Sequence, residues 1–174
     1  MKLHKHAVRL RDSIGRHTGD AADFAAALPL AESASDAKRA QWAREVCAYL
    51  EDRFTPDEIQ AIRRDCSCDP GGKADKVKVL YEKSVDNADF CDKFNAAYAP
   101  GNVLSRDGDA LLLTYPTCYC SCVKRGDEKL TAAWCACSLG YAEKLFARAL
   151  GRVVRVELLE SVLTGGRQCV MKIT

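Results

Sequence analysis

The sequence predicts an α+β protein: a helical N-terminal half, then an antiparallel sheet with one inserted helix and a C-terminal β-hairpin. Three observations carry that class. Through residue 101, apolar side chains recur at helical spacing between capping and breaking residues. From residue 102 the pattern shortens to strand-length runs rich in Val, Leu and Thr. Turns containing Gly then punctuate those runs, at "RDGD", "KRGDEK" and "TGGR".

The elements follow in order. "SDAKRAQWAREVCAYLEDRF" opens with Ser35 and Asp36, both good caps, and repeats Ala40, Ala43, Val46, Cys47, Leu50 and Phe54 on one helical stripe. Cys47 on that stripe reads as a small buried hydrophobe. A second helix starts at "TPDEIQAIRRDC", where Thr55 caps, Pro56 takes the first helical position and Glu58 completes a capping box. Asp69-Pro70-Gly71-Gly72 then breaks the chain, leaving Cys66 and Cys68 on backbone that can bend around a ligand. Helices over roughly 74–84 and 86–98 come next, the second packing Cys91 and ending before Pro100-Gly101.

"NVLSRDGDALLLTY" reads as a hairpin turning at Asp107-Gly108, and "TCYCSCVKRGDEKLTAAWCACS" as another turning at Gly126 and Asp127. "SLGYAEKLFARALG" reads as a helix capped by Ser138 and stopped by Gly151, with Leu139, Ala142, Leu145, Phe146 and Ala149 on its apolar face. "RVVRVELLESVL" and "QCVMKI", joined through "TGGR", close the chain as a hairpin. One domain is expected over 1–174, mainly helical over 1–101 and sheet plus helix over 102–174. No internal repeat or low-complexity linker interrupts it.

Composition narrows the function. A chain of 174 residues, 48% hydrophobic and 29% charged, can bury a core without help from disulfides or a metal. A net charge of +2, with acids interleaved among the bases, argues for no nucleic-acid partner. The basic start lacks the apolar run of a secretory signal, and no later run has membrane-spanning length, so the expectation is a cytoplasmic protein with no membrane partner. His4, His6 and His17 all lie in that basic start and read as part of a frayed terminus.

Ten cysteines in a reducing compartment point to metal binding or thiol chemistry rather than a disulfide framework. Alternate residues of a strand share a face, so Cys118, Cys120 and Cys122 line up if extended, as do Cys135 and Cys137. A turn around Asp127-Glu128 sets Cys118 opposite Cys137 and Cys120 opposite Cys135. Opposed Cβ atoms lie about 4.5–5.5 Å apart, within reach of one tetrahedral zinc with Zn–S bonds of about 2.3 Å. Cys66 and Cys68 are candidates to join that site. The C-x-C spacing is not a zinc-finger knuckle, and an iron–sulfur cluster suits gathered thiolates equally well. Cys137, placed just before a helix, is also a candidate catalytic nucleophile.

The segment "CACSLGYAEKLFARALGRVVRVELLESVLTGGRQCVMKI" resembles the C-terminal half of 4-vinyl reductase-like domains. It also resembles the 2-amino-thiazoline-4-carboxylate hydrolase-like family and uncharacterised cysteine-rich proteins of anaerobic bacteria. The resemblance covers roughly residues 118–174 and implies an α+β domain with a small-molecule pocket. It implies a zinc site in which Cys135 and Cys169 match, while the family's acidic and middle Cys positions fall on Leu158 and Ser161. Glu157 and Glu160 are out of phase with that pattern, and the extra sulfurs of Cys118, Cys120, Cys122 and Cys137 stand as replacements.

The favoured expectation is a sensor-like, metal-containing module that binds a small apolar or aromatic molecule. It holds zinc, or an iron–sulfur cluster, through Cys118, Cys120, Cys135, Cys137, Cys66, Cys68 and Cys169. The alternative is a thiol- or metal-dependent hydrolase acting on C–N bonds of thiazoline or cyclic amidine substrates, for which no His general base is evident. No attached DNA-binding or ATPase segment is visible, so output would pass through a partner or through self-association as a homodimer.

Overall fold

The computed structural model describes residues 2–123 and 129–174. Its class is the α+β arrangement expected, helices first and then an antiparallel sheet with one long helix inserted. The chain gathers into two compact units, Met1–Ser67 with Tyr119–Cys137, and Cys68–Cys118 with Ser138–Thr174. Among the described residues no helix is long and apolar enough to cross a membrane.

The first unit holds α1 (Lys5–His17), α2 (Ala21–Ala27), α3 (Asp36–Arg53), α4 (Pro56–Asp65) and the start of α7 (Ala132–Leu150). α3 begins where Ser35 Oγ accepts the Lys38 N–H at 3.3 Å. α4 begins with the capping box read from the sequence: Thr55 Oγ1 accepts from Glu58 N, and Glu58 Oε2 accepts from Thr55 N at 2.8 Å. The basic N-terminus is not frayed. It forms α1, with His4 as cap accepting from His6 N, and buries Ala7, Leu10 and Ile14 along one face. Those apolar positions outweigh the surrounding charges because the charged side chains project from the opposite face. Ser13 Oγ donates to the buried Ile62 carbonyl at 2.8 Å and ties α1 to α4.

The second unit holds α5 (Gly72–Glu82), α6 (Asn87–Tyr98), β1 (Val103–Asp107), β2 (Ala110–Tyr115), the rest of α7, β3 (Val156–Glu160) and β4 (Cys169–Ile173). Its strands form one antiparallel sheet in the order β1-β2-β4-β3. The register lines up Leu104, Leu113, Met171 and Leu158 across all four strands. Against this row pack Leu139, Ala142, Leu145, Phe146 and Ala149, the face expected of the helix, together with Phe90 and Phe94 of α6. Asp107 pairs with Ala110, so the β1–β2 turn is Gly108-Asp109, one residue later than expected. Gly108 sits at φ 60°, a conformation that glycine enters without steric cost.

The second expected hairpin does not form. Residues 116–123 contain no strand, and α7 begins at Ala132 rather than after Ser138. "TAAWCAC" supplies three alanines, the strongest helix formers, and Trp134, Cys135 and Ala136 are buried consecutively as the helix enters the first unit. The alternation of cysteines imitated a strand period without a strand's β-branched neighbours.

Between β3 and β4 the chain makes a short 3-10 turn, Val162–Thr164, and Gly165 follows at φ 100°. Gly166 is hemmed in. A Cβ there would stand 2.5 Å from Glu160 Cγ and 2.9 Å from the Ser161 carbonyl oxygen, while Glu160 Oε1 accepts the Arg167 N–H at 2.7 Å. Gly166→Ala must displace that carboxylate and is expected to cost about 1–3 kcal/mol. Urea unfolding of the two proteins checks this, and coincident midpoints would show that the turn shifts without penalty.

Candidate functional site

In the first unit, Arg63 on α4 carries its charge into the interior. Its residue exposure is 5%, and no carboxylate pairs with it among the described residues. Its guanidinium carbon lies 4.2 Å from the centroid of the Trp134 ring, and Nη2 donates to the Trp134 carbonyl at 2.7 Å. Nε has no partner. Trp134 in turn stands edge to face with Trp42 of α3, ring centroids 5.9 Å apart. The helical start of α7 makes this possible, because it presents the carbonyl and the indole of one residue to α4 and α3 together.

Thiols rather than acids lie near Arg63 among the described residues. Burial works against the Arg63 charge, while Cys137, Cys66, Cys120 and Cys47 favour it to the extent that they ionise, and the balance holds the guanidinium above its ordinary value. Cys120 Sγ accepts from Trp134 Nε1 at 3.4 Å. Cys137 Sγ donates to the Trp134 carbonyl at 3.7 Å, the same oxygen that Arg63 binds. Cys66 caps the end of α4 and donates to the Arg9 carbonyl at 3.7 Å. Cys122 donates to the Arg39 carbonyl at 3.8 Å. Burial raises the thiols of Cys47 and Cys66 and pushes Cys122 up to about 12, whereas Cys120 and Cys137 are only half-buried.

His6 completes the cluster. Its Nε2 lies 3.1 Å from Ser121 Oγ, and its ring stacks on His4 with centroids 5.1 Å apart. Burial lowers its pKa from 6.5 to about 4, helped by the charges of His4, Lys5, Arg63 and Arg9. His6 is thus a neutral imidazole at pH 7. Neither Arg63, Trp134 nor His6 was marked by sequence motif; the one available signal was an arginine on the α4 face next to Ile59 and Ile62, where a buried charge is unusual.

The expected ligands are distributed differently from the expectation. Cys120, Cys135, Cys137 and Cys66 belong to the first unit, and Cys118, Cys68 and Cys169 to the second. Cys135 and Cys137 sit two residues apart on a helix and therefore leave it in different directions, so the opposed register that was to gather four sulfurs is absent. Cys137 also stands in the second turn of α7, beyond the helix end whose dipole was to activate it. Among the described residues no three or more His, Cys, Asp or Glu side chains are arranged to hold a metal ion, which leaves the expected zinc or iron–sulfur centre without a ligand set. Cys169 Sγ instead accepts the Val162 N–H at 3.5 Å, and Cys91 packs in the core as expected. All ten cysteines are thiols.

The neutral state of His6 has a consequence for stability. The unfolded chain binds this proton below about pH 6.5, but the folded protein binds it only near 4. Its contribution is therefore complete above pH 6.5 and lost as the pH falls toward 4. His6→Asn should lose less stability over that interval than the wild type, measured by urea midpoints at pH 7 and pH 4.5. Parallel losses in the two proteins would rule out a buried neutral His6.

Comparisons with known proteins give one family. The family model described as "Family of unknown function (DUF6144)" matches residues 10–174. No curated protein matches the chain. Among solved structures, the chain is similar to the NMR structure of an H-NOX domain from Shewanella oneidensis in the Fe(II)CO ligation state. The identity is 14%, the match covers 98% of this chain and 97% of that one, and the TM-score is 0.44. It is also similar to the crystal structure of an H-NOX protein from S. oneidensis in the Fe(II)NO ligation state, at 14% identity, 100% and 98% coverage and a TM-score of 0.43. The family match over residues 10–174 overturns the resemblance drawn from residues 118–174 to 4-vinyl reductase-like and 2-amino-thiazoline-4-carboxylate hydrolase-like domains, because it takes in that whole segment. Cys135, which that resemblance set before a helix, lies inside α7. With residues 10–174 matched, the chain belongs to DUF6144, a family of unknown function.

Proposed function

We propose that this chain is a sensor-like module that binds a small apolar or aromatic molecule bearing a hydrogen-bond acceptor, and that Arg63 and Trp134 form the binding site. The observation that carries the reading is Arg63 itself, a buried cation that among the described residues has no carboxylate beside it and an Nε–H without a partner. A group in that state costs stability, and its retention is accounted for by a use. Around it are an indole ring and the sulfurs of Cys120 and Cys137, which are polarisable and weakly polar. The complement of such a surface is an apolar body with an acceptor or negative head directed at Arg63. A reducing cytoplasm suits the reading, because it keeps the surrounding thiols reduced.

Both tryptophans of the sequence, Trp42 and Trp134, lie in this site, so their emission reports its occupancy. Sodium benzoate, with an anionic head, and p-cresol, with a neutral one, are the probes. Benzoate is expected to change the emission saturably in the wild type and not in Arg63→Met. That variant should unfold within about 1 kcal/mol of the wild type, or be more stable, because an apolar side chain of similar length removes the desolvation cost of a buried charge. If neither probe gives a saturable change, or the variant responds like the wild type, the reading fails.

A further inference from the structure

One backbone atom brings a cation and a thiol together. The Trp134 carbonyl oxygen accepts from Arg63 Nη2 and from Cys137 Sγ, so guanidinium and sulfur lie beside the same oxygen. The charged and titratable groups gathered here are Arg63 and Asp65 of α4 with Cys66 at its end, Cys47 and Arg39 of α3, Lys5, His6 and Arg9 of α1 with His4 at its start, and Cys120 and Cys122 from the segment before α7. Arg63 supplies the fixed positive charge, and His6 is neutral at pH 7. A half-buried thiol beside a fixed cation is the environment in which thiolate forms and reacts, whereas fully buried thiols are inert. That removes Cys47, Cys66 and Cys122, all buried. Cys120 is half-buried too, and its sulfur accepts the indole N–H of Trp134 rather than sharing an oxygen with Arg63. Cys137 is the half-buried thiol that bonds the same Trp134 oxygen as Arg63.

We propose that Cys137 is a nucleophile toward soft electrophiles in which a carbon–carbon double bond is conjugated to a carbonyl, with Arg63 holding the carbonyl oxygen. The inference rests on the same Arg63 site as the binding reading. Cys137 first gives its proton to solvent, ending its S–H bond to the Trp134 carbonyl. The thiolate then adds to the terminal carbon of the double bond and forms an S–C bond, while the π pair moves onto the carbonyl oxygen. The Arg63 Nε–H, without a partner among the described residues, would stabilise the charge on that oxygen. A proton from water quenches the adjacent carbon, and no oxidant or reductant takes part.

Acrylamide is the probe, with labelling at each cysteine followed over time at pH 7 by peptide mass spectrometry. Cys68, exposed and in the second unit, serves as the reference thiol within the same molecule. Cys137 is expected to label at least tenfold faster than Cys68 in the wild type. It should fall to the Cys68 rate or below in Arg63→Met, and recover most of its lead in Arg63→Lys, which restores the charge. Cys137→Ser should abolish the fast phase. Labelling of Cys137 no faster than Cys68, fastest labelling at Cys120, or an unchanged rate in Arg63→Met would each overturn the proposal. A wild type that labels quickly at Cys137 but ignores benzoate would leave this proposal standing and remove only the binding reading.

Discussion

A guanidinium buried, among the described residues, without a carboxylate is the constraint around which the first unit is organised. Arg63 lies against the face of Trp134 and bonds its carbonyl, so the charge is met by a ring quadrupole, a backbone dipole and sulfur rather than by a carboxylate. Each of those partners demands something of the chain. Trp134 must be in a helix by the time it reaches α4, so α7 starts at Ala132. Cys120 must meet the indole N–H, so the segment before α7 turns instead of running as a strand. Ser121 in that turn meets His6 of α1, which secures the N-terminal segment to the same cluster.

The second unit solves a more ordinary problem. Its sheet buries one face under α7 and α6, with Leu104, Leu113 and Met171 in one cross-strand row and the aromatic rings of Phe90, Phe94 and Phe146 above them. Its cysteines are used accordingly. Cys91 fills core volume, and Cys169 accepts a backbone N–H at the turn that joins β3 to β4. One residue type thus does different work in the two units, decided by its neighbours: apolar contact and a backbone donor in one, a buried cation in the other.

The capping box of α4, the apolar face of α7, the β1–β2 hairpin and the closing β3–β4 pair were all legible in the sequence. Each is governed by residues close together in the chain, through cap hydrogen bonds, periodicity or turn chemistry. The cysteine-rich segment was misread for a related reason. Alternation every second residue is a strand signal only when both faces of a strand are populated, and the alanines beside Cys135 and Cys137 favoured a helix.

What the sequence by itself determined is the class of the fold, most of its helices, its hairpin pairings and the inventory of ten thiols. What only the tertiary structure decided is where each thiol sits and what it touches. Arg63 stands 71 residues before the Trp134 carbonyl that it binds, and His6 stands 115 residues before Ser121. No local pattern encodes such pairs, since charge, burial and hydrogen bonding between distant segments exist only once α1, α3, α4 and α7 have packed. The thiols were visible from the start; the buried cation among them was hidden on a helix face until the fold brought it there.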